Sequence, residues 1–347
     1  MRYDDFSWYR GNLTWLPQNT IFLTKHGSQA YGTALPTSDT DLKGVAIPPK
    51  QYFLGFTDVF EQAMVQEPVD AVVYDVRKFF KLAADCNPNI IEVLYTDPAD
   101  HVLTRSWWRT VAENRDAFLS QKAKHTFSGY AVAQLNRIKS HRAWLLNPPK
   151  AEPRRADFGL KEGTGTIGKE QLGVINAEIR KHEDALAGTG LTRDQVAEHE
   201  EALVETGVTD LNLSPDLIPL VIAERRYAAA CRHWSQYQKW KVERNEGRAA
   251  LEAQYGYDTK HAMHLVRLLL MADEILSGRG VIVKRPNADS LLAIRRGVWT
   301  YDELVDWATR TEASLATIDS PLPKQPNRHH LNTILVDLVD RFLAEGT

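Results

Sequence analysis

Two short stretches carry the residue types that handle phosphate and metal. One is His26-Gly27-Ser28-Gln29-Ala30-Tyr31-Gly32-Thr33; the other is Thr37-Ser38-Asp39-Thr40-Asp41-Leu42-Lys43-Gly44. Gly27 lets the backbone approach a ligand closely, and Ser28 puts a hydroxyl and an amide at the start of a short helix, where N–H groups and the helix dipole favour an anion. Asp39 and Asp41 are two apart, so on a strand both carboxylates share a face. Held that close they repel unless a cation lies between them. Hard oxygen donors of this kind suit Mg²⁺ bridging to substrate phosphates. Alone, a Gly-Ser is ordinarily a turn and an Asp-x-Asp a solvated loop edge. Their order and spacing between two apolar runs argue for a phosphate and metal site.

The elements that must position them can be read on either side. Ile21-Phe22-Leu23-Thr24 and Leu42 to Ile47 are strand-type runs of one small sheet, and Glu67 to Tyr74 is a further β-rich run. Three acids lie in or beside that last run. Asp75 precedes Val76, Phe79, Phe80 and Ala83 at helical spacing, which makes it an N-cap. Glu67 stands before Pro68, which cuts it off from the strand-type part of the run, whereas Asp70 lies inside that part between Val69 and Ala71.

Gly27-Ser28 followed by Asp39-x-Asp41 resembles the signature of the DNA polymerase β superfamily of nucleotidyltransferases. The longer strings Gly-Ser-Gln-Ala-Tyr-Gly-Thr and Ser-Asp-Thr-Asp-Leu-Lys-Gly are similar to its bacterial and phage branch that includes members associated with RNA repair. Arg77-Lys78-Phe79-Phe80, Asn87-Pro88-Asn89 with Glu92, and Gly-Tyr-Asp-Thr-Lys-His-Ala-Met-His-Leu from Gly256 resemble the same branch. The resemblance implies two Mg²⁺ ions, with Mn²⁺ as a substitute, held by Asp39, Asp41 and a third acid in an apolar-acid-apolar context, which here is Asp70. It implies that Gly27 and Ser28 bind the triphosphate, and that a nucleoside monophosphate passes to a hydroxyl with release of pyrophosphate. An RNA 3′ end is the first choice of acceptor. A protein hydroxyl, as in antitoxin-type nucleotidyltransferases, is the second and a small molecule the third; a nucleotide-binding regulator without catalysis is the reading from another class.

After about residue 100 the pattern becomes helical. Ser106 reads as a cap, Phe127 to Ile138 as a long amphipathic stretch, and the Pro- and Gly-rich residues 147–168 as a mobile linker. Polar helices are expected from Glu170 to Leu186 and from near Thr192, and Ser214-Pro215 starts another with a basic character toward Gln254. From Asp258, a further cap, Lys260, His264 and Arg267 fall at i, i+4 and i+7. Such a cationic triplet either belongs to an ordinary amphipathic helix or clamps phosphate; the resemblance favours nucleotide binding, with Lys260 and Arg267 neutralising the leaving pyrophosphate. His261-x-x-His264 lacks the other ligands of a zinc protease. Thr300 with Glu303 is a capping box, and the apolar face Leu331, Ile334, Leu335, Leu338 and Phe342 closes the core or forms a homodimer contact.

The expected architecture is α+β: a small mixed nucleotidyltransferase sheet with flanking helices in residues 1–100, then a mainly helical region, 101–347, that completes the nucleotide cleft. A chain of 347 residues with net charge −3 has no global positive field, so nucleic-acid contact would rest on local patches. Cys86 and Cys231 are its two cysteines, which fits a reducing cytoplasm. No membrane contact, leader or spanning segment is expected.

Overall fold

A computed structural model describes residues 2–161, 167–187, 198–244 and 246–345. The helix expected near Thr192 lies outside these, as do Gly163 and Gly165 of the expected linker. The chain forms two compact units, Met1–Arg142 with Ala250–Thr347, and Ala143–Ala249. No helix among the described residues is long and apolar enough to cross a membrane.

The first unit holds a five-stranded sheet of order β3-β4-β2-β1-β5, formed by β1 (Thr20–His26), β2 (Asp41–Ala46), β3 (Gln62–Val65), β4 (Asp70–Asp75) and β5 (His101–Thr104). β4 runs parallel to β2 and the other neighbouring pairs are antiparallel, so the sheet is mixed and, with the helices around it, the architecture is α+β as expected. Its last strand falls beyond residue 100.

Both faces of the sheet are covered. Phe22 and Val45 face the larger core with Phe79, Ile90, Trp108 and Leu268, whereas Leu23, Leu42, Ala71 and Val73 face a smaller one closed by Phe6 and Trp8 of the N-terminal arm. Phe22 and Trp108 stack with ring centroids 4.1 Å apart, which ties β1 to the Ser106–Glu113 helix. That helix has Arg105 at its N-cap, not Ser106 after all. Gln51–Leu54 is a short helix whose Phe53 packs against the larger core and whose Tyr52 packs against the smaller one, while Phe56 beyond it is 98% exposed.

Local side-chain caps set several helix starts. Asp75 accepts from the amides of Arg77 and Lys78 at the head of Val76–Ala84, and Asn87 accepts from Asn89 N before Pro88–Leu94. Asp258 caps Thr259–Leu276 through the His261 amide, and Thr300 with Glu303 forms the capping box of Tyr301–Thr317. Leu331, Ile334 and Leu338 of the Arg328–Glu345 helix join the larger core.

The second unit is helical. Lys169–Ala187, Glu200–Asp210 and Ile218–Glu243 enclose a core of Ile175, Ile179, Val204, Val208 and Val221. A β-carbon on Gly207 would lie 2.8 Å from Ile179 Cγ1, so the first two of these helices meet where only glycine fits. Ser214 caps the Pro215–Leu217 turn that leads into the long helix. Arg225 and Arg226, part of its expected basic face, are paired with Glu183 and Glu200.

Candidate nucleotide and metal site

β1 ends at His26, β2 begins at Asp41 and β4 begins at Asp70. Strand register sets His26 opposite Asp41 and Asp41 opposite Asp70. Directly opposed residues project from the same face, so these three side chains form a row across neighbouring strands at one end of the sheet. Asp39 lies outside β2, in the loop before it, and is exposed; the strand period therefore reaches Asp41 alone. Asp41 is half-buried and Asp70 exposed.

The Gly27–Ser28 turn abuts this row. Gly27 has φ +62°, in the left-handed region, and a β-carbon there would lie 2.2 Å from Asp41 Oδ2. Ser28 is half-buried in the Gly27–Tyr31 helix, and its carbonyl accepts from Thr33 N at 2.9 Å.

Burial first, and then the neighbouring Asp70, push the Asp41 carboxyl above its ordinary pKa, with His26 acting against them. A partly buried carboxylate crowded by a second one is stabilised by a hard cation, so the donor set fits Mg²⁺ or Mn²⁺. Asp39, Asp41 and Asp70 are not among the sets of described residues whose ligand-type atoms all lie within 4.8 Å of one another. Among the described residues, His141 with Glu252 and Asp258, and Glu178 with His182 and Asp210, each bring three ligand-type atoms within 4.8 Å of one another.

Lys43, two residues along β2 and on the Asp41 face, is half-buried with its Nζ 6.0 Å from the Tyr74 ring centre. Burial lowers its pKa, while Asp70 and Asp41 pull it back up. Residue types alone gave Lys43 no role; the alternation of the strand could have found it.

Behind the turn lies Glu92, the one acid in the run Ile90-Ile91-Glu92-Val93-Leu94, and it is buried. Tyr31 Oη donates to its Oε2 at 2.5 Å, and Arg267 Nη1 donates to its Oε1. His26 Nε2 stands 3.2 Å from the same Oε2, at ion-pair distance but outside hydrogen-bond geometry. Burial pushes the Glu92 carboxyl up, but Arg267 and His26 outweigh it and its pKa falls to about 2.

The helix-face triplet divides accordingly. Arg267 is buried, paired with Glu92, its guanidinium 3.8 Å from the centre of the Tyr31 ring. His264 is brought to a pKa of about 3 by burial, reinforced by Arg267 and Lys260, and is neutral at physiological pH. Lys260 is half-buried in the first turn of the same helix.

Residues 13–145 match the family described as RNA repair pathway DNA polymerase beta family. Over 131 residues the chain is 28% identical to an uncharacterized 38.9 kDa protein of the nrdC-mobD intergenic region of Enterobacteria phage T4. The match covers 34% of this chain and spans 38% of the phage protein's length. No solved structure matches the chain significantly. The segment of residues 13–145 that matches the RNA repair pathway DNA polymerase beta family contains the Gly27 turn, all three aspartates and Glu92.

Proposed function

We propose that this chain is a Mg²⁺-dependent nucleotidyltransferase that moves a nucleoside monophosphate from a nucleoside triphosphate to a hydroxyl, with an RNA 3′ end as acceptor and pyrophosphate as the second product. The observation that carries this reading is the placement of Asp41 opposite Asp70 on adjacent parallel strands, with the Gly27 turn against Asp41. The family match supports the reaction class and the choice of RNA.

Asp39, Asp41 and Asp70 are the residues that would hold the metal. Bound there, the ion supplies charge to oppose the triphosphate and the developing negative charge at the reacting phosphorus. Gly27 leaves room for the phosphates beside Asp41, and Ser28 offers a hydroxyl to them. Asp70, exposed at the start of β4, orients the acceptor hydroxyl and takes its proton. The acceptor oxygen bonds to the α-phosphorus as the bond from that phosphorus to the α–β bridging oxygen breaks, and pyrophosphate leaves with that bond's electrons. Lys260 is the cation of its helix face that meets the leaving group; Arg267 acts from behind the turn.

The test is incubation with each labelled nucleoside triphosphate, Mg²⁺ and an RNA bearing a free 3′ hydroxyl. Label in the RNA with stoichiometric pyrophosphate is expected, and Asp41→Ala with Asp70→Ala should abolish both. Label appearing in protein rather than RNA would move the acceptor to a protein hydroxyl. No pyrophosphate from any nucleotide would overturn the reaction.

A further inference from the structure

The Gly27–Tyr31 helix has only five residues and ends at a left-handed Gly32, so its own hydrogen bonds are too few to fix where the turn stands. It is held from outside, and chiefly at Tyr31. The Tyr31 hydroxyl donates to Glu92 at 2.5 Å, the Arg267 guanidinium covers its ring, and its carbonyl accepts from the Arg285 amide at 3.0 Å. At the other end of the turn, His26 meets the same Glu92 oxygen that Tyr31 does. One carboxylate thus reaches the residue before Gly27 and the last residue of the helix.

We infer that Glu92 is a positioning residue of the nucleotide site: by holding His26 and Tyr31 together, with Arg267 as its counter-ion, it sets where Gly27 and Ser28 stand relative to Asp41. The inference rests on the nucleotidyl-transfer reading of that site. A buried ion pair is a weak source of net stability, because desolvation of both charges offsets their attraction. Its distinguishing contribution here is geometric: the pair sits directly behind groups that must be aligned with a reacting phosphate, where outer contacts change activity by about 10–100-fold.

Stability and positioning separate in three variants, each measured for thermal midpoint and for kcat/KM toward the nucleotide in the Mg²⁺-dependent transfer assay. Glu92→Gln leaves Arg267 buried without its counter-charge, and should lower both the midpoint and kcat/KM, the latter by about 10–100-fold. Glu92→Gln with Arg267→Met removes both buried charges; the midpoint should recover relative to the single variant while kcat/KM stays low. Tyr31→Phe keeps the ion pair and deletes only the link to the turn, so its kcat/KM should fall about tenfold with little loss of midpoint, even if the single Glu92 variant does not fold. Recovery of kcat/KM together with the midpoint in the double variant would overturn the inference, as would an unchanged kcat/KM in Glu92→Gln or Tyr31→Phe. Where the wild type binds nucleotide without turnover, the nucleotidyl-transfer reading fails alone, and the same comparisons are read on Kd by calorimetry. A wild type that neither binds nucleotide nor releases pyrophosphate refutes both readings.

Discussion

Gly27 and Asp41 are in contact: a β-carbon on the glycine would stand 2.2 Å from the carboxylate Oδ2, at a backbone φ of +62°. Gly27→Ala therefore combines left-handed strain with displacement of Asp41. It should cost about 1–3 kcal/mol in urea unfolding. Transfer should fall about a hundredfold, because a shift of about 1 Å in a reacting geometry has that effect. Wild-type transfer in this variant would mean that Asp41 needs no fixed position.

Asp41→Asn should separate stability from activity. Burial and Asp70 raise the carboxyl's folded pKa above its unfolded value, so its contribution to stability is greatest in acid and is lost as pH rises through the folded pKa. The asparagine variant removes that loss: in chelator near neutral pH it should melt above the wild type, and in acid the difference should close. Added Mg²⁺ should raise the wild-type midpoint and leave the variant's unchanged, with transfer abolished. Scanning fluorimetry with and without Mg²⁺ checks both signs.

Asp70 and Asp75 open and close the same strand but should behave differently. Asp75→Ala removes a cap that accepts two amides and should cost about 1–2 kcal/mol, with the Mg²⁺ dependence of transfer unchanged. Asp70→Asn should leave stability within about 0.5 kcal/mol, as for an exposed site, and lower transfer by about a hundredfold or more. The reverse outcome would assign the third carboxylate to Asp75.

His264 gives the chain a pH signature. Its folded pKa, about 3, lies below its ordinary value of 6.5, so this stability is intact above 6.5 and is lost as pH falls through that window. The slope is at most about 1.4 kcal/mol per pH unit. Urea unfolding between about pH 7 and about pH 5 should show it, and His264→Gln should flatten it. Glu92 acts in a lower window: with a folded pKa of about 2 against an ordinary 4.5, its contribution is full above 4.5 and is lost as pH falls toward 2.

What the sequence made legible was local. Asp75, Asn87, Asp258 and the Thr300–Glu303 pair could be read as caps because each bonds within three residues of itself. The strands around the Gly27 turn were legible as short apolar runs. Strand register was not: nothing near Asp41 in the chain says that Asp70 will lie opposite it, and the start of β2 at Asp41 leaves Asp39 outside the strand. The counter-charge of Glu92 was equally hidden, since helical spacing placed Arg267 on a face with Lys260 but could not show that the face is buried there. The available signal was the single acid among Ile90, Ile91, Val93 and Leu94, because a charge in such a run requires a partner.

Glu92 and Arg267 are 175 residues apart, and the whole of the Ala143–Ala249 unit is made between them. On a ribosome, which releases the chain from its N-terminus, the sheet with Asp41 and Asp70, and Asp39 in the loop before β2, emerge well before the guanidinium that neutralises the charge behind the turn. A nascent chain halted before residue 267 would thus carry Asp39, Asp41 and Asp70 without the guanidinium that pairs with Glu92 behind the Gly27 turn, and on the proposed reading competence for nucleotide would arrive only late in translation.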